Sequence, residues 1–207
     1  MICPRLLILA LGGFLVTATL FAAVPPKLEQ PPDYPSLVGQ LLVASPQIAD
    51  PRFRKTVILI VRHSKEGALG ITINRALGEH SLASLLENLG EKNTNVDGNV
   101  QIFAGGPVQP EAAFVIHTTD YHRSETIPIN GRVAVTSSTE VFQDIGHNKG
   151  PRKTLIAFGY AGWGPGQLEA ELAHNGWFTA MADVTLIFEE RRERVWDLAL
   201  DRRSRDL

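Results

Sequence analysis

The chain has 207 residues, 44% hydrophobic and 20% charged, which is enough apolar material for one domain with a real core and too much for a disordered chain. Its formal net charge of −2 sets it apart from domains that bind nucleic-acid phosphate through a basic excess. The single cysteine, Cys3, excludes a disulfide framework, a thiolate zinc site and a cysteine nucleophile in the folded part.

Arg5 precedes an uncharged apolar run over residues 6–24. A positive residue before such a run is the form of a signal peptide, and the run is also long enough to span a bilayer. Residues 1–24 are therefore read as a signal peptide or a membrane anchor in the inner membrane. Leu20 or Phe21 would stand where a cleavage site prefers a small residue. With Arg5 inside, the rest of the chain faces the periplasm or exterior. It is cytoplasmic only if the segment is not a native start. Pro25, Pro26, Pro31, Pro32 and Pro35 make residues 25–36 a stiff proline-rich spacer. One domain follows over 37–200, and 201–207 form a charged tail.

Residues 39–44 read as a strand ended by Pro46. Residues 56–62 form a continuous run dominated by β-branched residues, as in a strand buried on both faces. Residues 67–74 look like its hairpin partner. Ser81 caps a helix whose face carries Leu82, Leu85, Leu86 and Leu89, and Gly90 ends it. Strands are expected at 100–104, 112–117 and 132–136. Thr139 is expected to cap a short helix with Val141, Phe142 and Ile145 inward. Residues 154–159 read as a strand entering a glycine-dense turn, 166–175 as a helix, 184–188 as a turn or short strand, and 192–200 as a final helix. Strands and helices do not alternate, so a doubly wound parallel sheet is disfavoured and α+β is favoured.

The most specific segment is 159–171. Gly159, Gly162, Gly164 and Gly166, with Pro165, surround Trp163. A glycine turn before a helix can cradle phosphate, but Gln167, Leu168 and Glu169 stand where a P-loop has Lys-Ser/Thr. The segment reads as a structural turn with Trp163 as a packing or partner anchor. Gln167, Glu171 and His174 share one helix face. Glu171 and His174 have the spacing of half a dimetal site, without the other half. Asp50 and His63 could approach one another as a general base or ligand pair, and Asn74 lies on the same strand-loop-strand. The plainer reading is a hydrogen-bonded histidine at a strand end and an Asx turn. Gly105 and Gly106 could aim backbone N–H groups at an anion, or simply turn the chain. His117 ends a strand as a ligand or as a satisfied edge histidine. The arginines and acids from 189 onward balance, giving a solvated mixed-charge face.

These residues carry a resemblance. The run 39–46, then 50–53, His63 and 67–74 resembles the opening of the YqgE/AlgH family. Residues 105–108 and 114–117 resemble its middle, and 159–171 with Trp177 its most characteristic segment. Trp196 stands in what resembles its terminal helix. The resemblance covers about 37–200. It implies an α+β fold of coiled, bifurcated, mostly antiparallel β-sheets with flanking helices, in a single domain of bacterial origin. It implies no established activity and no cofactor or metal. The family's names come from a proposed role in transcriptional regulation. The apolar N-terminus is unusual in a family expected in the cytoplasm.

The expected function is a non-enzymatic regulatory or binding protein with a protein partner, affecting transcription indirectly and without direct nucleic-acid binding. Asp50, His63, Asn74, Gly105, Gly106, His117, Trp163, Gln167 and Glu171 are the candidate binding residues. The alternative is a hydrolase or metal-dependent enzyme with a site near Asp50, His63 and His117.

Overall fold

In the computed structural model, which describes residues 35–90, 96–189 and 191–203, the apolar run beginning at Val57 lies in the middle of a sheet covered on both sides. The N-terminal apolar segment and most of the proline-rich spacer lie outside the described residues. Everything described falls within one unit, Tyr34–Leu207.

In chain order the elements are β1 (Gln40–Ala44), a 3-10 turn (Pro51–Phe53), β2 (Val57–Ser64), β3 (Gly67–Thr72), β4 (Ala76–Ser81) and α1 (Leu82–Asn88). Then come β5 (Asn99–Ala104), β6 (Val108–Thr118), β7 (Ile127–Pro128), β8 (Val133–Thr136) and α2 (Glu140–Gly146). The chain continues through β9 (Thr154–Trp163), α3 (Gln167–Ala173), β10 (Trp177–Met181), a π-helical turn (Thr185–Glu189) and α4 (Arg192–Asp201). The strands run in the order β10-β1-β2-β3-β9-β6-β8-β7, and β4 pairs with β5, which joins β9. All these pairings are antiparallel except β5 with β9.

β9 is where the sheet divides. Its first half pairs with β6 on one edge and with β5 on the other, and its last residues pair with β3. Gly159 stands between the halves at φ +73°. Before it, Leu155 and Ala157 face one core; after it, Ala161 and Trp163 face another. A single left-handed residue thus moves the odd-numbered side chains to the opposite side. A Cβ at Gly159 would overlap the Gly106 carbonyl oxygen.

Three apolar clusters result. β2 alternates between two of them: Val57, Leu59 and Val61 face the core that also takes Val195 and Ala199 of α4, while Ile58 and Ile60 face the core beneath α3. The third joins Leu82, Leu85 and Leu86 of α1 to Val141 and Phe142 of α2, over Ile102, Val115 and Ile156.

Several boundaries differ from the sequence reading. Residues 159–163 are strand, and the turn is confined to 164–166. Gly159 there admits neighbouring backbone rather than reversing the chain. β4 and β10 are additional strands. Of the two readings of residues 184–188, a turn or a short strand, the π-helical turn takes most of the segment. Ser81 does cap α1 through Ser84 N–H, whereas Thr139 makes no side-chain capping bond to α2.

Candidate functional site

The end of β9, the short helix α3 and the start of β10 carry four side chains whose polar groups converge. Trp163 and Trp177 are 7% and 2% exposed. Both indole N–H groups donate to the same oxygen of Glu171, Oε2, at 3.0 Å and 2.8 Å. The two rings meet edge to face, with centroids 6.1 Å apart at 80°. Gln167 Nε2 donates to Glu171 Oε1 at 2.9 Å, and Gln167 Oε1 accepts the Gly164 N–H at 3.1 Å. The spacing of four between Gln167 and Glu171 on α3 permits their bond. The network closes the turn at 164–166 onto the helix and satisfies both buried indoles.

This network forms one wall of a cleft of about 480 Å³. The opposite wall is the 3-10 turn. Asp50 caps that turn by accepting the Arg52 N–H at 2.9 Å. Its carboxylate also takes Arg52 Nε at 3.0–3.1 Å and Nη2 at 2.6 Å. Hydrogen bonds from the Arg52 side chain, then from its backbone, hold the Asp50 carboxyl below its usual range. Phe53 meets Trp177 edge to face at 5.5 Å. Pro107, Val108, Ile48 and Ala161 supply apolar lining.

A second layer fixes these walls. Asn74 accepts the Val57 N–H and donates to the Lys55 carbonyl, both at 2.9 Å. Arg75 donates to Thr56 Oγ1 and to the Arg54 carbonyl. Together they clamp the chain that follows the 3-10 turn. Gly105 donates its N–H to Phe158 and its carbonyl accepts the Thr72 N–H. That N–H is thus committed to the sheet, and the Gly-Gly pair serves to deliver Pro107 and Val108 to the cleft. A Cβ on Gly106 would overlap the Tyr160 backbone.

His63 lies beside this site, beneath the other side of α3. Its Nδ1 accepts the Leu37 N–H at 3.0 Å, so Nε2 carries the proton and donates to Glu169 Oε1 at 2.7 Å. His117 is elsewhere, fully buried on β6. Its Nδ1–H donates to the Thr118 carbonyl at 2.9 Å, and Nε2 accepts from Thr136, which in turn accepts from Thr126. The Arg123 N–H completes the chain on Thr126 Oγ1. Burial pushes the His117 pKa down, against the pull of the Thr118 carbonyl and Asp120.

Of the residues singled out from sequence, Asp50, Trp163, Gln167 and Glu171 line one cleft. Gly105, Gly106 and Asn74 support it, His63 flanks it, and His117 belongs to a different cluster. His174 turns to the Ala170 carbonyl rather than to Glu171. Arg52, Phe53 and Trp177 complete the cleft. The Asx-Pro-Arg-Phe spacing could have found the first two, since a capping Asp before Pro marks a tight turn. Among the described residues, no group of three or more His, Cys, Asp or Glu is placed to hold a metal ion.

An AlgH-like family model matches residues 41–207. The chain belongs to the AlgH-like family. A UPF0301 protein of Jannaschia sp. is 41% identical over 166 residues, covering 79% of this chain and 86% of the relative. One from Rhodospirillum rubrum is 40% identical over 179 residues, covering 86% and 92%. The solution structure of the AlgH protein from Pseudomonas aeruginosa shares 37% identity at a TM-score of 0.69, covering 84% of this chain and 91% of that one. A protein of Corynebacterium diphtheriae shares the fold at a TM-score of 0.64 and 20% identity, covering 85% and 91%. Residues of the segment 159–171 and of the strand-loop-strand at 39–74 meet at the cleft. Among the described residues, no helix is long and apolar enough to cross a membrane.

Proposed function

We propose that this member of the family is a non-enzymatic binding protein, and that it engages a protein partner through the cleft between the 3-10 turn and α3. One observation carries the reading. Among the described residues, those facing the cleft include no serine, threonine, cysteine, lysine or histidine, so no side chain there is a nucleophile with a base beside it. The two carboxylates present are committed to holding structure. Asp50 is chelated by Arg52, and Glu171 accepts three N–H donors. A cleft floored by buried aromatics with a few fixed polar groups suits recognition.

The alternative, a hydrolase built on Asp50, His63 and His117, draws less support. The three are engaged by Arg52, by Leu37 and Glu169, and by Thr118 and Thr136 respectively. An influence on transcription would pass through the partner. The apolar N-terminal run supports placement at or beyond the inner membrane, where direct contact with DNA is not available.

The test is affinity purification of the full chain from its native cells, beside Trp163→Ala and a surface variant such as Leu77→Ser. The proposal expects a defined partner that is retained by the surface variant and lost with the cleft variant. Equal recovery with both variants would contradict it.

A further inference from the structure

Glu171 differs from the other carboxylate of the cleft, Asp50, which has Arg52 as its counter-cation. Glu171 accepts two indole N–H groups and one amide N–H, all neutral, and among the described residues no cation is paired with it. Asp50 and Arg52 cancel each other, so the cleft keeps one uncompensated negative charge. A half-buried carboxylate in such a setting favours a cation over water or an anion.

The bonds already made decide which cation fits. A carboxylate offers about four acceptor directions. Oε2 uses both of its own on the indoles, and Oε1 uses one on Gln167. One direction on Oε1 remains. A guanidinium docks on a carboxylate through two parallel N–H bonds to the two oxygens, and Oε2 cannot take part. A primary ammonium is a compact charge that needs a single acceptor. Its alkyl stem matches the apolar surface of Pro107 and Val108 at the cleft wall.

We infer that the cleft receives a lysine side chain of the partner protein, with its ammonium on Glu171 Oε1. This rests on the cleft being the binding surface. The Arg52 side chain is 68% exposed and is paired with Asp50. Asp50 therefore acts as a positioning residue: it prevents the chain's own arginine from occupying the charge.

The experiment is a titration of the full chain with amino acids capped at both backbone ends, read from the indole N–H cross-peaks of Trp163 and Trp177. Capped lysine is compared with capped norleucine, arginine and glutamate. The expected result is saturable shifts with lysine at a Kd at least ~5-fold below that of norleucine, the ratio that about 1 kcal/mol of charge attraction supplies. Glu171→Gln should remove this advantage, and Arg52→Ala should strengthen lysine binding. A dispersed spectrum for each variant shows that it is folded. Equal binding of norleucine overturns the charge selection while leaving the cleft as a binding surface. Arginine binding as tightly as lysine overturns the single-acceptor geometry. No shift with any probe up to ~50 mM overturns the lysine pocket; the purification with Trp163→Ala then judges the binding reading separately.

Discussion

Trp163 and Trp177, fourteen residues apart across α3, donate to one and the same carboxylate oxygen of Glu171. Among the described residues each indole N–H bonds to this oxygen alone, so the carboxylate is as structural as it is chemical. Glu171→Ala should leave two buried N–H donors unsatisfied and cost about 2–4 kcal/mol, with some relief from water at the cleft. Glu171→Gln keeps an oxygen for the indoles and should cost only about 1 kcal/mol. Urea denaturation of the two variants checks the ordering. A smaller loss in the alanine variant would remove the network from the account.

Gly159 and Gly166 share a left-handed backbone, at φ +73° and +71°, in different surroundings. At Gly166 a Cβ would meet nothing within 4 Å; at Gly159 it would overlap Gly106. Gly166→Ala should therefore cost about 1 kcal/mol from backbone strain alone. Gly159→Ala should cost several times more, about 3 kcal/mol or above, because the divided strand must shift. Thermal unfolding of both variants reads the difference directly.

His117 makes stability depend on pH. Burial lowers its folded pKa below the ordinary histidine value, so in the window below about 6.5 the unfolded chain binds the extra proton. The stabilising contribution is complete above that value and is lost as pH falls through the folded pKa. His117→Phe should be less stable than the parent at pH 7.5, and the gap should narrow toward pH 5. A gap that stays constant would show that His117 does not titrate on unfolding.

The two histidines should also differ in tautomer. His63 is held as the Nε2–H form by the Leu37 N–H, and His117 as the Nδ1–H form by the Thr118 carbonyl. Long-range nitrogen–proton correlation at neutral pH reads both. Finding the same tautomer at each position would contradict the assigned hydrogen bonds.

Much of the fold was legible where one signal dominated. A continuous run dominated by β-branched residues marked β2, and Ser81 with the leucine face marked α1. β4 was hidden because it is exposed along nearly its whole length, so Ala-Leu-Gly-Glu-His-Ser carries no alternation. The strand character of residues 159–163 was hidden because glycine usually signals a turn, whereas here it makes room for backbone from β6. The parallel contact of β5 with β9 depends on a crossing that no local pattern encodes. At the site, helical spacing put Gln167, Glu171 and His174 on one face of α3; the structure joins Gln167 to Glu171 and turns His174 to the Ala170 carbonyl. The reach of His63 to Glu169 spans 106 residues and leaves no local trace. Trp163 stood out for its glycines; Trp177, its partner on Glu171, had no such frame.

The central claim is that the cleft beside Glu171 is the surface that meets the partner. It is tested most directly by placing a photo-reactive side chain at Ala49, on the cleft rim, or at Leu77, exposed on β4 outside it, and irradiating living cells. The account predicts a discrete adduct from position 49 that disappears when Glu171→Gln is added, and none from position 77. An adduct from 77 alone, or one from 49 indifferent to Glu171, would contradict it.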